Sequence, residues 1–179
     1  GGGVSSGAGE VVTALAEKLN IPVATSASGK GSIPEDHPLS VGCVGNYCRN
    51  TANEVVSGAD LVIYIGSHTG DQVTLNWTIP VPGTRIIQMD IDPAELGRNY
   101  QIELGVLGDA RLCAEGLSSA ASPAGNPAWI SAVRGIMDRW YAAERGNGES
   151  EAVPVRPERL CREVAEAMPD NAVLVADTG

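Results

Sequence analysis

The chain has 179 residues, of which 43% are apolar, and a formal net charge of −10; this composition supports a packed core and excludes the disordered class. Its 12 basic residues are scattered rather than clustered, which excludes a surface built for nucleic acid or an anionic membrane. The longest apolar runs, LVIYI and AVLVA, fall far short of the roughly 20 residues that a membrane span needs.

The opening GGGVSSGAGE carries glycines of the kind found in a tight turn between a strand and a helix. Ser5 and Ser6 offer N-cap oxygens, and Val11, Val12, Leu15, Ala16 and Leu19 then recur at helical spacing. Asn20 and Pro22 end that helix, and a short strand is expected through Val23 and Ala24. Residues 26–47 are rich in Gly, Pro and Ser and follow neither period, so they read as a long functional loop. A second helix is expected over 51–56, with Ala52, Val55, Val56 and Ala59 on one face, followed by a continuous apolar strand over 61–65 that ends at Gly66.

Residues 85–90 predict another strand, with Asp90, Asp92 and Pro93 at its carboxyl end. A short strand over 104–107 closes on Gly108 and Asp109, and a helix over 110–117 follows. Strands apolar throughout and alternating with helices predict an α/β domain over residues 1–118, with an open, doubly wound, Rossmann-like parallel sheet. Residues 119–156 read as linker around one amphipathic helix at 129–145 carrying Ile130, Val133, Met137, Trp140 and Tyr141. Residues 157–179 read as the start of a further α/β unit: a helix over 157–168 with Pro157 at its first position, then a strand over 172–176.

Ligands of an open parallel sheet bind at the carboxyl ends of its strands. The residues expected there are Gly1, Gly2 and Gly3, Ser26, Gly66, Ser67 and His68, Asp90 and Asp92, and Gly108 and Asp109. Glycine turns let backbone N–H groups meet a pyrophosphate, and strand-end carboxylates accept from ribose hydroxyls. The same residues serve equally well as tight turns, and Asp before Pro is a common turn residue. Gly1-Gly2-Gly3 does not match G-x-G-x-x-G, and Gly29-Lys30-Gly31 lacks the flanking residues of a P-loop.

No acid–base, nucleophile or metal constellation emerges, so no residue is expected to catalyse a reaction unaided. His37 lies in the turn-like EDHP, and no nucleophile is paired with His68. Cys43, Cys48, Cys113 and Cys161 lack zinc-ligand spacing and read as free thiols of a reducing, cytoplasmic compartment.

Taken in order, GGG and its helix, IPVATSASGKGSIPEDHPLSVG, GCVGNYCRNTAN, ADLVIYIGS, IIQMDIDPAELGRN and GDA resemble the central domain of thiamine-diphosphate-dependent enzymes. The likeness is closest to the acetolactate synthase (acetohydroxyacid synthase) large-subunit group and covers 1–118. PERLCREVAEAMPDNAVLVADTG is similar to the linker and first strand of that family's diphosphate-binding domain. The resemblance implies an interior slice of a longer chain, in which a strand runs into the Gly-rich turn at Gly1. It implies thiamine diphosphate and Mg²⁺ held largely by other domains, a small-molecule 2-oxo acid substrate, decarboxylation with transfer to an acceptor, and a homodimer or homotetramer. This slice alone would be inactive.

In that family the central domain holds FAD, ADP or nothing. The matching positions are Gly1, Gly2, Gly3, Ser26, Gly45, Asn46, Gly66, Ser67, His68, Gly108 and Asp109, while Thr178 and Gly179 would border the diphosphate site. The family's GxRFDDRV is GSHTGDQV here, and its MHG is Asn46-Tyr47-Cys48. Losing two guanidinium groups removes charge-assisted hydrogen bonds worth about 1.5–3 kcal/mol each to an anionic cofactor. Two other readings accompany this one: a non-catalytic FAD- or ADP-binding module of the electron-transfer flavoprotein or sirtuin type, and a structural domain with an empty crevice.

Overall fold

The computed structural model describes residues 1–5 and 7–175. Helices α1 (Gly2–Ser5) and α2 (Gly9–Leu19) lead to strand β1 (Val23–Thr25), and β2 (Ser40–Cys43) precedes α3 (Asn50–Ser57). Strands β3 (Leu61–Ile65), β4 (Arg85–Asp90) and β5 (Leu104–Leu107) follow, then α4 (Ala110–Ala120), α5 (Pro127–Gly148) and α6 (Pro157–Ala167). The chain divides into two compact units, 1–137 and 138–179.

The first unit is α/β with every strand pair parallel. Its strands fall into two sheets, β1-β2 and β3-β4-β5, where one sheet was expected. Leu61 to Ile65 stand opposite Arg85 to Met89 in unbroken register, and Ile87 to Asp90 stand opposite Leu104 to Leu107. All carboxyl ends within a sheet therefore point the same way, which gathers the turns after β3, β4 and β5 along one edge.

Local chemistry sets the element ends. Asn20 takes a left-handed φ of 50°, and its N–H closes α2 on Ala16 and Glu17. Asp109 caps α4 by accepting from the N–H groups of Arg111 and Leu112, and Pro157 opens α6 as expected. One core joins Val41, Val44, Ala52, Val55, Ile79, Val133, Ile136 and Met137, so the helix spacing of α5 places Val133, Ile136 and Met137 against β2 and α3. A second cluster joins Val4, Ala8 and Ala110, and a third joins Ala16, Leu39 and Ile130.

Three sequence expectations need correction. The long loop of 26–47 contains strand β2, all four of whose residues are buried and which pairs with β1. The expected Ser5/Ser6 cap is not the start of α2: that helix begins at Gly9 behind Ala8, with no side-chain cap, and Gly2–Ser5 form a separate turn of helix. Ser6 itself lies outside the described residues. Residues 172–175 form no strand and are exposed, because no described strand lies beside them to complete their hydrogen bonds; Ala176 lies outside the described residues. No described helix is long and apolar enough to cross a membrane.

Gln88 is 1% exposed in the middle of β4. Its amide donates to the Glu95 carbonyl at 2.8 Å and accepts from the Gly97 N–H at 2.9 Å, which fixes the turn after β4. Gln88→Leu leaves both backbone groups without their partners, and urea unfolding should show a loss of about 1–3 kcal/mol.

Candidate functional site

The turns at the carboxyl edge of β3-β4-β5 meet the start of the chain. The Gly3 N–H donates to the Gly66 carbonyl at 3.1 Å, and the Gly1 amine donates to the Ile65 carbonyl at 3.2 Å. Gly66 has φ +54°, and a Cβ there would lie 2.8 Å from the Gly3 Cα. A Cβ on Gly3 would reach 3.0 Å from the Gly66 Cα, and one on Gly29 would reach 3.1 Å from the Gly1 carbonyl oxygen. These glycines are required by the approach of backbone to backbone. Gly2 differs, since a Cβ on it would meet nothing nearer than Ser28 at 4.0 Å.

The polar side chains of the edge are largely engaged in their own turns. Ser26 accepts from the Gly29 N–H at 3.1 Å, capping the short 3₁₀ turn Ala27–Gly29. Asp90, 8% exposed, accepts from the Asp92 N–H at 3.0 Å, and Asp92 accepts from the Ala94 N–H at 2.8 Å. Asp109 is taken up by the cap of α4. Ser67 is buried, and Gly108 has its Cβ direction closed by the Cys113 sulfur at 2.9 Å. The structure therefore brings Gly1, Gly3, Gly66, Ser67, His68 and Asp90 together.

Gly45 and Asn46 follow the carboxyl end of β2 and meet the loop after β3 at Gln72. The Asn53 amide clasps Gly45 from both sides, accepting from its N–H at 2.8 Å and donating to its carbonyl at 3.1 Å. Asn46 donates through its backbone to the Gln72 carbonyl and through its side chain to Asn76. Thr178 and Gly179 lie outside the described residues.

One charged cluster at the edge was missed by sequence reasoning. Glu95, 4% exposed, forms an ion pair with Arg98 at 2.6 Å and another with His68 Nδ1 at 3.0 Å. The Glu95 carboxylate holds the largely exposed His68 above its ordinary value of 6.5, and His68, then Arg98, hold Glu95 below 4.5 despite its burial. The signal lay in PAELGR, where Glu95 and Arg98 stand three residues apart, as an ion pair on one helical turn requires. The four cysteines are free, and burial pushes the Cys43 thiol up to about 12, which suits an inert core thiol.

With this geometry in place, the comparisons decide the family. The model for "Thiamine pyrophosphate enzyme, central domain" matches residues 1–117. The chain belongs to the thiamine pyrophosphate enzyme central-domain family. It is 32% identical to the probable acetolactate synthase large subunit of Methanocaldococcus jannaschii, over 100% of this chain and 31% of the relative. The acetolactate synthase large subunits of Parasynechococcus marenigrum and Corynebacterium glutamicum are 33% and 31% identical, each over 100% of this chain and 29% of the relative. The chain thus spans about a third of the length of these curated relatives, and it is an acetolactate synthase-like member of the central-domain family.

Two cofactor fits can be tested against the central domain's own residues. A flavin dinucleotide or adenosine diphosphate needs free donors, yet the nitrogens of Gly1 and Gly3 donate to the Ile65 and Gly66 carbonyls. Asp90 and Asp92 add acceptors rather than donors. The cations beside them, His68 and Arg98, are both paired with Glu95, so the edge fits an anionic diphosphate poorly. For thiamine diphosphate with Mg²⁺, the described residues contain no cluster of three or more His, Cys, Asp or Glu that could hold a metal ion.

Two measurements follow. Gly66→Ala forces a Cβ into the Gly3 backbone at positive φ, and chemical denaturation should show a loss of about 2–4 kcal/mol. Glu95→Gln should lower the His68 pKa toward 6.5, read by NMR titration of the imidazole. The sign follows from the two shifts: His68, raised, contributes stability fully below pH 6.5 and loses it as pH rises through its folded value. Glu95, lowered, contributes above pH 4.5 and loses that contribution as pH falls through its folded value. The pair's stabilisation therefore spans the window between the lowered acid and the raised base.

Proposed function

We propose that the chain is the central scaffold of a thiamine-diphosphate-dependent enzyme of the acetolactate synthase type, acting on small 2-oxo acids. The observation that carries this reading is the match of the whole chain to acetolactate synthase large subunits at 31–33% identity. Within that enzyme residues 1–118 form the central α/β domain with a doubly wound sheet, 119–156 connect it onward, and 157–179 begin the diphosphate-binding domain, where Thr178 and Gly179 border the diphosphate. Thiamine diphosphate, with Mg²⁺, supplies the decarboxylation chemistry when bound by the other domains.

This chain's own contribution is positional. The Gly1–Gly3–Gly66 contact and the capped turns fix the carboxyl edge of β3-β4-β5, and the His68–Glu95–Arg98 cluster sets its charge. The match to the central-domain family favours this reading over an electron-transfer flavoprotein or sirtuin-type module. FAD and ADP are poor occupants of the edge, because the donors they require are already engaged.

A chimera tests the reading. Residues 1–179 should replace the matched segment of the Corynebacterium glutamicum large subunit and retain acetolactate formation from pyruvate that depends on thiamine diphosphate. The 179-residue chain alone should form none. A folded chimera without activity would remove the proposed role. In isothermal titration calorimetry, the chain alone should give no saturable heat with FAD at micromolar concentration, while a sub-micromolar Kd would overturn the poor fit.

A further inference from the structure

Cys43 and Cys48 stand at the ends of one short turn. Cys43 is the last residue of β2, pairs with Thr25 of β1 and is 9% exposed, whereas Cys48 is half-buried. The Arg49 N–H donates to the Cys43 carbonyl at 3.1 Å and closes the turn. The Cα of Cys48, directly before that donor, and the Cα of Cys43 therefore flank a single hydrogen bond. A disulfide asks for Cα atoms roughly 4.4–6.8 Å apart, and a turn closed in this way holds its ends at that scale. The Cys48 side chain is also a hydrogen-bonding neighbour of the Cys43 sulfur, so the thiols face one another.

The turn is fastened around the two sulfurs. Asn53 holds Gly45 by both backbone groups, and Asn46 bonds Gln72 and Asn76. The Arg49 side chain lies across Gly42, where a Cβ would meet its Cδ at 2.7 Å, and its guanidinium pairs with Glu35 at 2.9 Å. Lys30 reaches the same Glu35 at 3.6 Å. Burial first, and then the Cys48 side chain, hold the Cys43 thiol at about 12, while Lys30 lowers it and Glu35 raises it by less. Cys43 is thus closed to oxidants in solvent, and the more open Cys48 is the sulfur they reach first.

We propose that Cys43 and Cys48 are a reversible dithiol–disulfide site, in which a peroxide oxidises Cys48 and Cys43 resolves the product. The arrangement is the one a redox-sensing cysteine needs, an accessible sulfur poised beside a second that can trap it. Closing the disulfide pins the turn between β2 and α3, and Asn46 carries that restraint to the loop after β3. The inference rests on the geometry of the turn and does not depend on the thiamine-enzyme function.

The chemistry balances with hydrogen peroxide as the oxidant. The Cys48 sulfur, as thiolate, attacks one peroxide oxygen; the O–O bond breaks, a sulfenic acid forms, and the departing hydroxide takes the proton that the thiol released, giving water. The Cys43 sulfur then attacks the Cys48 sulfur and gives up its own proton. The S–S bond forms, the S–O bond breaks, and hydroxide leaves with that proton as a second water. The pair of sulfurs loses two electrons in all, and the peroxide accepts both.

The test treats the reduced 179-residue chain with hydrogen peroxide, alkylates it under denaturing conditions without reductant, and digests it with trypsin. Cleavage after Lys30 and Arg49 leaves both cysteines on one peptide, 31–49. That peptide should lose alkylation at both sites together and be lighter than its unalkylated reduced form by a pair of hydrogens, and dithiothreitol should restore both sites. Cys48→Ser should leave Cys43 alkylated after the same treatment. Cys43→Ala should hold Cys48 as the sulfenic acid, with dimedone labelling of Cys48 raised at least about fivefold. The proposal is overturned if peptide 31–49 stays alkylated at both cysteines, or if Cys48 passes to sulfinic acid with Cys43 still alkylated. It also falls if either sulfur is joined only to Cys113, Cys161 or a second chain. The unsubstituted peptide decides these outcomes by itself, so a variant that fails to fold leaves the test intact. Neither readout involves thiamine diphosphate or a 2-oxo acid, so failure here leaves the functional reading standing.

Discussion

The carboxyl edge of the central domain depends on one close approach, that of the Gly3 backbone to Gly66. No side chain fits on either residue, since a Cβ on each would stand within 3.0 Å of the other's Cα. That approach lets the Gly3 N–H bond the Gly66 carbonyl, which presses α1 against the tip of β3. Helix α2 follows two residues after the Gly7 turn and packs on α4, so the placement of that helical pair traces back to the same contact. Gly29 extends it, because its own missing side chain admits the Gly1 carbonyl. The glycines that give the edge its nucleotide-like appearance are thus needed to bring chain against chain.

The acids and hydroxyls of the edge obey a related constraint. Short turns leave backbone N–H groups that secondary structure cannot pair, and enclosed groups of that kind must find an acceptor. Ser26, Asp90, Asp92 and Asp109 each supply one within four residues of their own position. A carboxylate oxygen aimed at its own turn is less free to receive a ribose hydroxyl. The polar residue types that suggest a ligand crevice are therefore also those that fold its rim, and only the hydrogen-bond partners separate the two uses.

This explains how far the sequence could be read. The strands over 61–65, 85–90 and 104–107 were legible because they are apolar runs closed by Gly or Asp, and the start of α6 was legible from Pro157; Asp109 read as a ligand residue and is instead the cap of α4. Strand β2 was not, because SVGC is short, small-sided and embedded among Gly, Pro and Ser, and its strand identity comes from pairing with β1 and burial against α3. Helix α1 was hidden for a similar reason: GGVS has poor helix propensity, and tertiary contact at Gly66 holds it. At the site, topology pointed to the strand-end turns and resemblance to Gly45 and Asn46, and neither route revealed that Asn53 clasps Gly45. Glu95 escaped notice because its burial, not its spacing, makes it distinctive.

The route from β4 to His68 shows how interior packing sets charge at the surface. Gln88, enclosed within β4, holds the Glu95 carbonyl and the Gly97 N–H, and so fixes the backbone from which the Glu95 carboxylate projects. With so little exposed surface, that carboxylate has little water to stabilise it and draws on the neighbouring cations. Arg98 and His68 supply them, and both stay near the rim because Glu95 cannot move out to meet them. Arg98 is thereby partly neutralised, and the positive charge of His68 is tied to an acid at 3.0 Å. An anion approaching this rim would have to compete with Glu95 for His68 and Arg98, and leaving a buried carboxylate unpaired costs more than an exposed contact returns. The burial of Glu95 therefore ties the His68 and Arg98 cations of this rim to an acid of the same chain.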